Sequence, residues 1–261
     1  MKFISWNVAG IRAVLKKENI KFLLDSDVDV VCFQETKALP EQVTGKLYEK
    51  LKEKFPYQYW NYPKEKKGYS GTAIWSKKRA DVVVKDNPFL TQNDQEGRII
   101  TAYFGDICII NVYTPNSKPD LSRLEYRVNT WDLQFKNYVR SLKERNGGNV
   151  IVCGDLNVAY KNIDIHNPNN RGNLAGFTNE ERESFGKLIS IGFTDALRVF
   201  HMHDNTKFTY WPYVQKTARY KNAGWRIDYF LCSCDMISVI KNSEVLNQIY
   251  GSDHCPISLE L

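Results

Sequence analysis

The chain has 261 residues, of which 43% are hydrophobic and 13% aromatic, and this composition excludes an intrinsically disordered protein. The formal net charge of +6 is explained as well by an ordinary solvated surface as by nucleic-acid binding. The cysteines form no Cys-x-x-Cys pair, and no apolar run reaches the roughly 18 residues of a membrane-spanning helix, so a zinc framework, a disulfide framework and a membrane anchor are disfavoured.

Short apolar runs rich in β-branched and aromatic residues recur along the chain and end in polar clusters, which predicts β-strands. In chain order the predicted strands are 3–7, 29–35, 71–76, 98–104, 107–113, 149–157, 226–232 and 256–261. Only a Gly-Asp turn separates 98–104 from 107–113, so these two strands should form an antiparallel hairpin.

Helical periodicity appears between the predicted strands. The pattern predicts one helix over 11–24, a weaker one over 41–54, and a long one from Ser122 whose apolar residues recur at three- and four-residue steps. A further helix is expected in the segment "RESFGKLISIG". Ser122 with Glu125 has the spacing of a capping box, as does Thr178 with Glu181.

The irregular alternation of strands and helices favours an α/β fold in which sheets pack together with helices outside, rather than a parallel barrel. No stretch has the composition of a linker and no repeat is present, so residues 1–261 are expected to form a single domain. The N-terminal segment begins directly with strand-like sequence, and we expect an intracellular protein without a cleaved leader.

Polar residues occupy the same place on strand after strand. Those that follow or close a predicted strand are Asn7, Gln34, Glu35, Tyr113, Asn116, Asp155 and Asn157. Asp228 lies within a predicted strand, and Asp253 and His254 precede the last one. A single Asp or Asn at a strand end is usually a turn former. Because the pattern repeats at most of the strands, it predicts that these side chains meet at one rim of the sheets.

Carboxylates gathered at one rim repel each other, and a bound cation relieves that repulsion. Glu35, Asp155 and Asp253 with neighbouring amides offer oxygen ligands, which favours Mg²⁺ or Mn²⁺ over zinc. His201 and His203 could bind a softer metal, but we interpret them as ordinary loop residues.

A hard divalent ion beside an aspartate and a histidine suits hydrolysis of a phosphodiester. Asp155 could deprotonate water if amides and partial burial raised its basicity, and Asn157 could hold the water or the phosphate. His254 could donate to a phosphate oxygen, with Asp228 orienting it and keeping it protonated.

A series of segments running in order from residue 2 to 261 carries a resemblance to a known family. They include "SWNVAGIR", "CFQETK", "GYSGTAIWSK", "DQEGRIITA", "NVYTPNS", "RLEYR", "CGDLNVAY", "AGFTNEER", "GWRIDYFL" and "GSDHCPI". Together they resemble the exonuclease III type of apurinic/apyrimidinic (AP) endonuclease, within the endonuclease/exonuclease/phosphatase superfamily. "GYSG", "RLEYR", "GWRIDY" and "GSDHCPI" in combination indicate the DNA-repair branch.

The resemblance implies a four-layered α/β/β/α sandwich of two mixed, largely antiparallel sheets flanked by helices, as in DNase I. It implies Mg²⁺-dependent hydrolysis, with Mn²⁺ as a substitute, of the phosphodiester 5′ to abasic sites in duplex DNA, leaving a 3′-hydroxyl. Accompanying 3′–5′ exodeoxyribonuclease and 3′-phosphodiesterase activities are expected, from a monomer located in the cytoplasm or nucleoid of a prokaryote or the nucleus of a eukaryote.

The resemblance also implies roles for individual residues. Metal-site positions are matched by Glu35, Asn7, Asp253, Asp155 and Asn157. Asp155 would activate water, Asn157 would stabilise the transition state, and Tyr113 and His254 would contact the scissile phosphate, with Asp228 as the partner of His254.

DNA-contacting positions are matched as well. Arg12, Lys17, Tyr69 and Asn116 match residues that contact the DNA backbone. Tyr210, Trp225 and Ile227 match a pocket for the flipped-out sugar of an abasic site. The loops 62–71 and 216–226 interleave cations with aromatic residues, which suits contact with DNA.

Other interpretations of the same residues stay open. Arg12 and Lys17 also fit a solvated helix face, and Tyr210 and Trp225 also fit the core. A phosphatase of the same superfamily, acting on a phospholipid or an inositol phosphate, is the rival enzyme.

The sequence also departs from its relatives at two places. Ala9 stands where relatives often carry Asp or Asn. Val214 and Gln215 stand where vertebrate-type members have a methionine pair, so the element that wedges into DNA should differ.

Overall fold

The computed structural model describes residues 1–64, 66–86, 88, 95–169, 173–215 and 217–261. Three residues of the segments quoted above, Glu65, Asp94 and Lys216, lie outside the described residues. Within the described ranges, no helix combines the length and the apolar character needed to cross a bilayer.

The first of two six-stranded sheets is built from both ends of the chain. Its strands are β1 (Lys2–Asn7), β2 (Val30–Gln34), β3 (Tyr57–Asn61), β4 (Thr72–Ser76), β11 (Asn242–Val245) and β12 (Ile257–Glu260). Their spatial order is β11-β12-β1-β2-β4-β3. β1 and β2 are parallel and the other pairs are antiparallel. The last strand is therefore an interior strand, hydrogen-bonded on both sides.

The second sheet comes from the middle of the chain. Its strands are β5 (Val82–Lys85), β6 (Ile99–Phe104), β7 (Ile107–Tyr113), β8 (Val150–Asp155), β9 (Phe193–Asp195) and β10 (Asp228–Ser233). Their spatial order is β5-β6-β7-β8-β10-β9. β7 and β8 are parallel and the other pairs are antiparallel, and the predicted hairpin of β6 with β7 is confirmed.

Six α-helices flank the sheets: α1 (Ile11–Lys16), α2 (Phe22–Asp25), α3 (Lys46–Lys54), α4 (Leu133–Arg145), α5 (Asn179–Ile189) and α6 (Ala196–Phe200). A π-helical stretch, Tyr126–Asp132, runs directly into α4. Short 3₁₀ turns cover Pro40–Gln42, Asn162–Asp164 and Cys234–Val239.

Three apolar clusters show how the layers stack. Cys32 of β2 and Cys153 of β8 lie in the cluster between the two sheets. Trp75 of the first sheet packs with the helices of its outer face, and Val152 of the second sheet packs with α4 and α5. The order is helix, sheet, sheet, helix, so the predicted four-layered α/β/β/α fold is confirmed. Side chains along a strand point alternately to its two faces. Asn7 and Asp155 lie on the faces that the two sheets turn toward each other.

Two helix predictions and one capping-box prediction were wrong in detail. The predicted helix 11–24 is split into α1 and α2, because Glu18 has a left-handed backbone (φ +56°) that ends the first helix. The predicted helix over 41–54 begins only at Lys46, after Gly45 with φ +118°. The capping box at Ser122 does not form: the N–H of Ser122 donates to Asp120, and Glu125 accepts from Asn129.

The second capping box is confirmed. The N–H of Glu181 donates to Thr178 Oγ1 at 3.2 Å, and the Thr178 N–H donates back to Glu181 Oε2 at 3.2 Å. Glu181 is fully buried and also accepts from the Gly176 N–H at 2.7 Å. The start of α5 therefore fixes the loop around Gly176.

Candidate active site

Strand ends of both sheets meet at one rim, and the strand directions explain why. Asn7 ends β1 and Glu35 follows β2, two parallel strands of the first sheet. Tyr113 ends β7 opposite Asp155, which ends β8. β10 runs antiparallel to β8 and begins with Asp228 opposite Asp155. Each strand therefore delivers its polar terminus to the same edge of the sandwich.

Asn7 links the acids of the two sheets. Its Nδ2 donates to Glu35 Oε1 and to Asp155 Oδ2, both at 2.9 Å. Its Oδ1 accepts from the N–H of Ala9 at 3.0 Å. Because Asn7 is fully buried, this one amide fixes both carboxylates relative to each other.

Glu35 sits on a strained backbone and is paired with a cation. Its φ is +50°, a left-handed conformation that non-glycine residues adopt mainly where function requires it. Lys37 Nζ contacts Glu35 Oε2 at 2.7 Å. Burial raises the pKa of Glu35, but Lys37 and Asn7 outweigh burial and hold that pKa below its usual range. Glu35 is thus a carboxylate at neutral pH.

Asp155 is the most perturbed acid of the rim. Burial, followed by the nearby charges of Asp228 and Glu35, raises the pKa of Asp155 to about 7, although His254 opposes the shift. The backbone N–H of Asn157 donates to Asp155 Oδ1 at 2.9 Å. A carboxylate with such a pKa is a stronger base than an exposed aspartate.

His254 and Asp228 form a buried pair. His254 Nδ1 lies 2.8 Å from Asp228 Oδ2, and its Nε2 lies 3.9 Å from Asp155 Oδ2. Burial lowers the pKa of His254, but Asp228 outweighs burial and raises it to about 10. At neutral pH the ring is therefore an imidazolium whose Nε2 can donate toward the rim.

The backbone around His254 is firmly held although it lies near the chain end. Trp6 Nε1 donates to the His254 carbonyl at 3.2 Å, and the His254 N–H donates to Ser252 Oγ at 3.2 Å. Thr209 Oγ1 accepts from the N–H of Asp228 at 3.2 Å. Thr209 is a positioning contact that the sequence pattern did not reveal.

A cavity of about 500 Å³ opens above these groups. Residues lining it include Glu35, Tyr113, Asn116, Asp155, Asn157, Tyr210, Trp225, Ile227, Asp253 and His254. Asn7 and Asp228 lie beneath it and hold the lining residues through hydrogen bonds. Leu174, Ala175 and Gly176 also line the cavity, and their placement depends on the buried capping residue Glu181.

The donor atoms at the rim fit a hard cation. Asp155, Asp228 and His254 place potential ligand atoms within 4.8 Å of one another, so the cluster could hold a metal ion. His254 Nδ1 is, however, engaged by Asp228. The remaining donors on the cavity wall, from Glu35, Asp155 and Asp253, are carboxylate oxygens, the ligands that Mg²⁺ prefers. The crowding that raises the pKa of Asp155 is also what a bound cation would relieve.

Two of the predicted amide and aromatic contacts lie directly over the acids. Asn116 Nδ2 donates to Asn157 Oδ1 at 3.1 Å. The Tyr210 ring lies 4.8 Å from the His254 ring. Trp225 meets Phe177 edge-on at 6.4 Å. Together with Ile227, Tyr210 and Trp225 give the lining of the cavity an apolar part beside the carboxylates.

The residues predicted to contact the DNA backbone do not all lie at this cavity. Tyr69 lies at the edge of the rim, where its hydroxyl accepts from Arg98 Nη2 at 2.9 Å. Lys17 lines a neighbouring cavity of about 390 Å³ that shares Asp253 with the first. Arg12 lines a separate groove of about 410 Å³ beside α3, so the structure does not bring it to the catalytic cavity. His201 Nε2 lies within hydrogen-bond distance of Glu244 Oε1, at 2.9 Å, and His201 does not line the cavity.

Residues 4–254 match the endonuclease/exonuclease/phosphatase family. The chain belongs to this family. It is 41% identical over 265 residues to the DNA repair nuclease APEX1 of Danio rerio, across 100% of this chain and 82% of that protein. It is 40% identical over 260 residues to the exodeoxyribonuclease of Bacillus subtilis, across 99% of this chain and 98% of that protein.

Comparison with a solved structure supports this family assignment. The AP endonuclease LMAP from Leishmania major superposes with a TM-score of 0.85 at 28% identity, covering 99% of this chain and 86% of that one. The predicted resemblance to exonuclease III-type AP endonucleases is confirmed, and with it an enzyme of the nuclease and phosphodiesterase class.

Proposed function

We propose that this enzyme hydrolyses the phosphodiester 5′ to an abasic site in duplex DNA, depends on Mg²⁺ and leaves a 3′-hydroxyl. The observation that carries the proposal is a cavity lined both by the acids Glu35, Asp155 and Asp253 and by Tyr210, Trp225 and Ile227. A cavity of this kind can hold a scissile phosphate against the acids and a sugar without its base against the apolar part.

Asp155 is proposed to take the proton of the attacking water. Asn7 and the Asn157 N–H orient its two oxygens for that task. Asn157, with a φ of +49°, directs its side chain toward Asn116 and the cavity, where it can hold the water or a phosphoryl oxygen.

His254 and Tyr113 are proposed to contact the phosphate. The imidazolium can donate from Nε2 to a non-bridging oxygen while Asp228 holds Nδ1. Burial and the neighbouring Glu35 raise the pKa of Tyr113, so its hydroxyl stays protonated and remains a donor. Both donors are fixed before substrate arrives, which is the condition for effective charge stabilisation.

Glu35, Asn7 and Asp253, with Asp155 and Asn157, are proposed to hold Mg²⁺, for which Mn²⁺ can substitute. A bound divalent cation stabilises negative charge on phosphoryl and leaving oxygens. Asn7 contributes mainly by orienting Glu35 and Asp155, because its Nδ2 already binds both carboxylates.

The pocket of Tyr210, Trp225 and Ile227 is proposed to select abasic sites. An abasic nucleotide leaves the stack at low cost, and a normal base would not fit beside the rings. Arg12, Lys17, Tyr69 and Asn116 are proposed to contact the DNA backbone, so that binding weakens steeply with salt. Accompanying 3′–5′ exonuclease and 3′-phosphodiesterase activities use the same cavity, and the enzyme is proposed to act as a monomer.

A substrate panel on one labelled duplex tests the proposal. Abasic, uridine, 3′-phosphate, blunt and recessed substrates are incubated with Mg²⁺ or with EDTA, and polymerase extension of the product reports a 3′-hydroxyl. We expect Mg²⁺-dependent incision of the abasic duplex. Failure to incise it, together with hydrolysis of an inositol phosphate or a phospholipid head group, would instead support the rival phosphatase.

A further inference from the structure

The segment that carries Asp253 and His254 toward the cavity lacks regular structure of its own. After β11 ends at Val245, residues 246–253 run through turns and bends before β12 begins at Ile257. Backbone hydrogen bonds tie this segment at its ends, from Leu246 to Pro256 and from the Trp211 N–H to the Asp253 carbonyl. Between these ties, residues 247–252 need another support.

Arg219 supplies that support from a neighbouring loop. Its Nη2 donates to the carbonyls of Asn247 and Ile249 at 2.9 and 2.5 Å, and its Nη1 donates to the carbonyl of Ser252 at 3.2 Å. The guanidinium lies between two rings, 4.7 Å from that of Trp211 and 4.2 Å from that of Tyr250. One side chain thus binds the segment at four of its residues.

The loop that carries Arg219 is itself anchored. Ala218 is buried in the cluster between the sheets, and its N–H donates to the Gln215 carbonyl at 2.8 Å. The Ala223 N–H donates to the Ala218 carbonyl at 2.8 Å. The backbone that carries the guanidinium is therefore held against the body of the protein.

The contact with Ser252 connects Arg219 to two residues of the site. Ser252 Oγ accepts from the N–H of His254 and donates to Asp253 Oδ1, both at 3.2 Å. A displacement of Ser252 would therefore move both the carboxylate that faces the cavity and the imidazole that pairs with Asp228.

We propose that Arg219 is a positioning residue that holds Asp253 and His254 in their reactive arrangement by fixing residues 247–252. The planar guanidinium is suited to this because it can donate in several directions while its faces pack on aromatic rings. A lysine has a single ammonium and cannot bind the three carbonyls and both rings at once. Only the kinetic test of this inference depends on the proposed function.

The test compares Arg219→Lys and Arg219→Gln with Arg140→Gln, a matched loss of charge at an exposed position on α4. Single-turnover incision of abasic duplex at saturating DNA is measured together with the DNA dissociation constant. We expect the rate to fall by about 10- to 100-fold in Arg219→Gln and less in Arg219→Lys. The dissociation constant should change less than about threefold, and Arg140→Gln should match the wild type.

A second measurement does not depend on the substrate. Hydrogen exchange of the amides of residues 247–254 is followed in the same variants, along with the melting temperature. We expect faster exchange confined to this segment in both Arg219 variants. If the wild type fails to incise abasic DNA but this exchange pattern appears, the proposed function is wrong and the positioning role stands.

Two results would overturn the proposal. One is a wild-type single-turnover rate in Arg219→Gln with a weakened, salt-dependent DNA affinity, which would make Arg219 a DNA contact. The other is faster exchange throughout the protein with a lowered melting temperature, which would make it a general stability residue.

Discussion

Two clusters of largely buried acidic residues in this enzyme differ in whether arginines pair with the carboxylates. The polar rim contains Asp155, Asp228 and Glu35. The second cluster, here called the arginine cluster, comprises Asp164, Asp195, Arg198 and Arg226. The two are connected through the chain, because Arg226 lies two residues before Asp228.

In the arginine cluster every carboxylate has a cation. Arg226 Nε and Arg198 Nη2 donate to Asp164 Oδ1 at 2.9 and 2.5 Å, and Arg226 Nη2 donates to Asp195 Oδ2 at 2.6 Å. Burial raises the pKa of Asp164, but the two arginines outweigh burial and hold it below its usual range. Asp164 is therefore ionised, and both carboxylates of the cluster are paired with an arginine.

At the rim the carboxylates face one another, and Asp155 accepts only from amides. Burial and like charges raise the pKa of Asp155 to about 7, the opposite direction from Asp164. The comparison shows that burial alone does not determine the pKa of a carboxylate or its role in the protein. An acid with an arginine partner stabilises the fold, and an acid left among other acids is available for proton transfer and for a metal ion.

The largest effect is expected from replacing Asp155, the rim acid that is proposed to deprotonate the attacking water. Asp155→Asn keeps the size of the side chain and its contact with the Asn157 N–H, but the amide cannot accept a proton. We expect single-turnover incision to fall by about 10²- to 10⁴-fold. DNA affinity and the melting temperature, measured by fluorescence anisotropy and by calorimetry, should stay close to the wild type. Full activity in this variant would refute the assignment of the base.

The same substitution in the arginine cluster should have the opposite outcome. Asp164→Asn leaves Arg226 and Arg198 without their shared carboxylate in a fully buried site. We expect the free energy of unfolding to fall by about 3 kcal/mol in urea titrations, while the protein that remains folded at low temperature keeps most of its activity. An inactive but fully stable variant would show that the two clusters are not separate in function.

Acid titration sharpens the comparison further. The folded-state pKa of Asp164 lies below its unfolded value, so its stabilising contribution is fully present above the unfolded pKa of about 3.9 and is lost as pH falls through the folded value. The groups facing it are Arg198 and Arg226, which do not titrate in this range. The stability difference between the wild type and Asp164→Asn should therefore be constant from pH 5 to 7 and shrink below about pH 4.

The smallest expected effect concerns backbone strain. Among the described residues, the rim includes left-handed backbones, and the arginine cluster includes none. Ala9, Glu35 and Asn157 all have left-handed backbones, with φ of +45°, +50° and +49°. Asn tolerates this conformation better than Ala. Ala9→Asn should therefore raise the free energy of unfolding by about 0.5 kcal/mol, a part of the strain cost.

The matched control for this variant is Ala9→Val, because a β-branched residue is disfavoured in the same conformation and should destabilise the protein. Urea titration of both variants checks the prediction, and destabilisation by Asn would contradict it. The left-handed backbone also gives a physical reason for the Asp or Asn expected at position 9 in relatives.

The sequence predicted the rim well because its signal is local. Several interior strands are apolar runs with a polar residue at or beside one end, and both parts of that signal lie within a few positions. The four strands that the pattern missed, β3, β5, β9 and β11, are the edges of the two sheets. Edge strands are short and half-exposed, so their apolar pattern is weak.

The contacts that decide how the site works are not local. Lys37 pairs with Glu35 because the left-handed turn at Glu35 folds the chain back, and nothing in "CFQETK" shows that turn. Asn7 meets Asp155 across 148 positions of sequence, and Arg219 meets Asn247 across 28.

By itself, the sequence predicted the interior strands, the polar residues at their ends and packed sheets with helices outside, since hydrophobic periodicity is a local signal. The four-layered arrangement was implied by the family resemblance. Only the tertiary structure decided which acid is paired with arginine and which is left among acids. It also decided which backbone is strained and which arginine holds the loop of Asp253 and His254. The physical reason is that pKa values and positioning depend on distances between side chains that are far apart in the chain, and folding alone sets those distances.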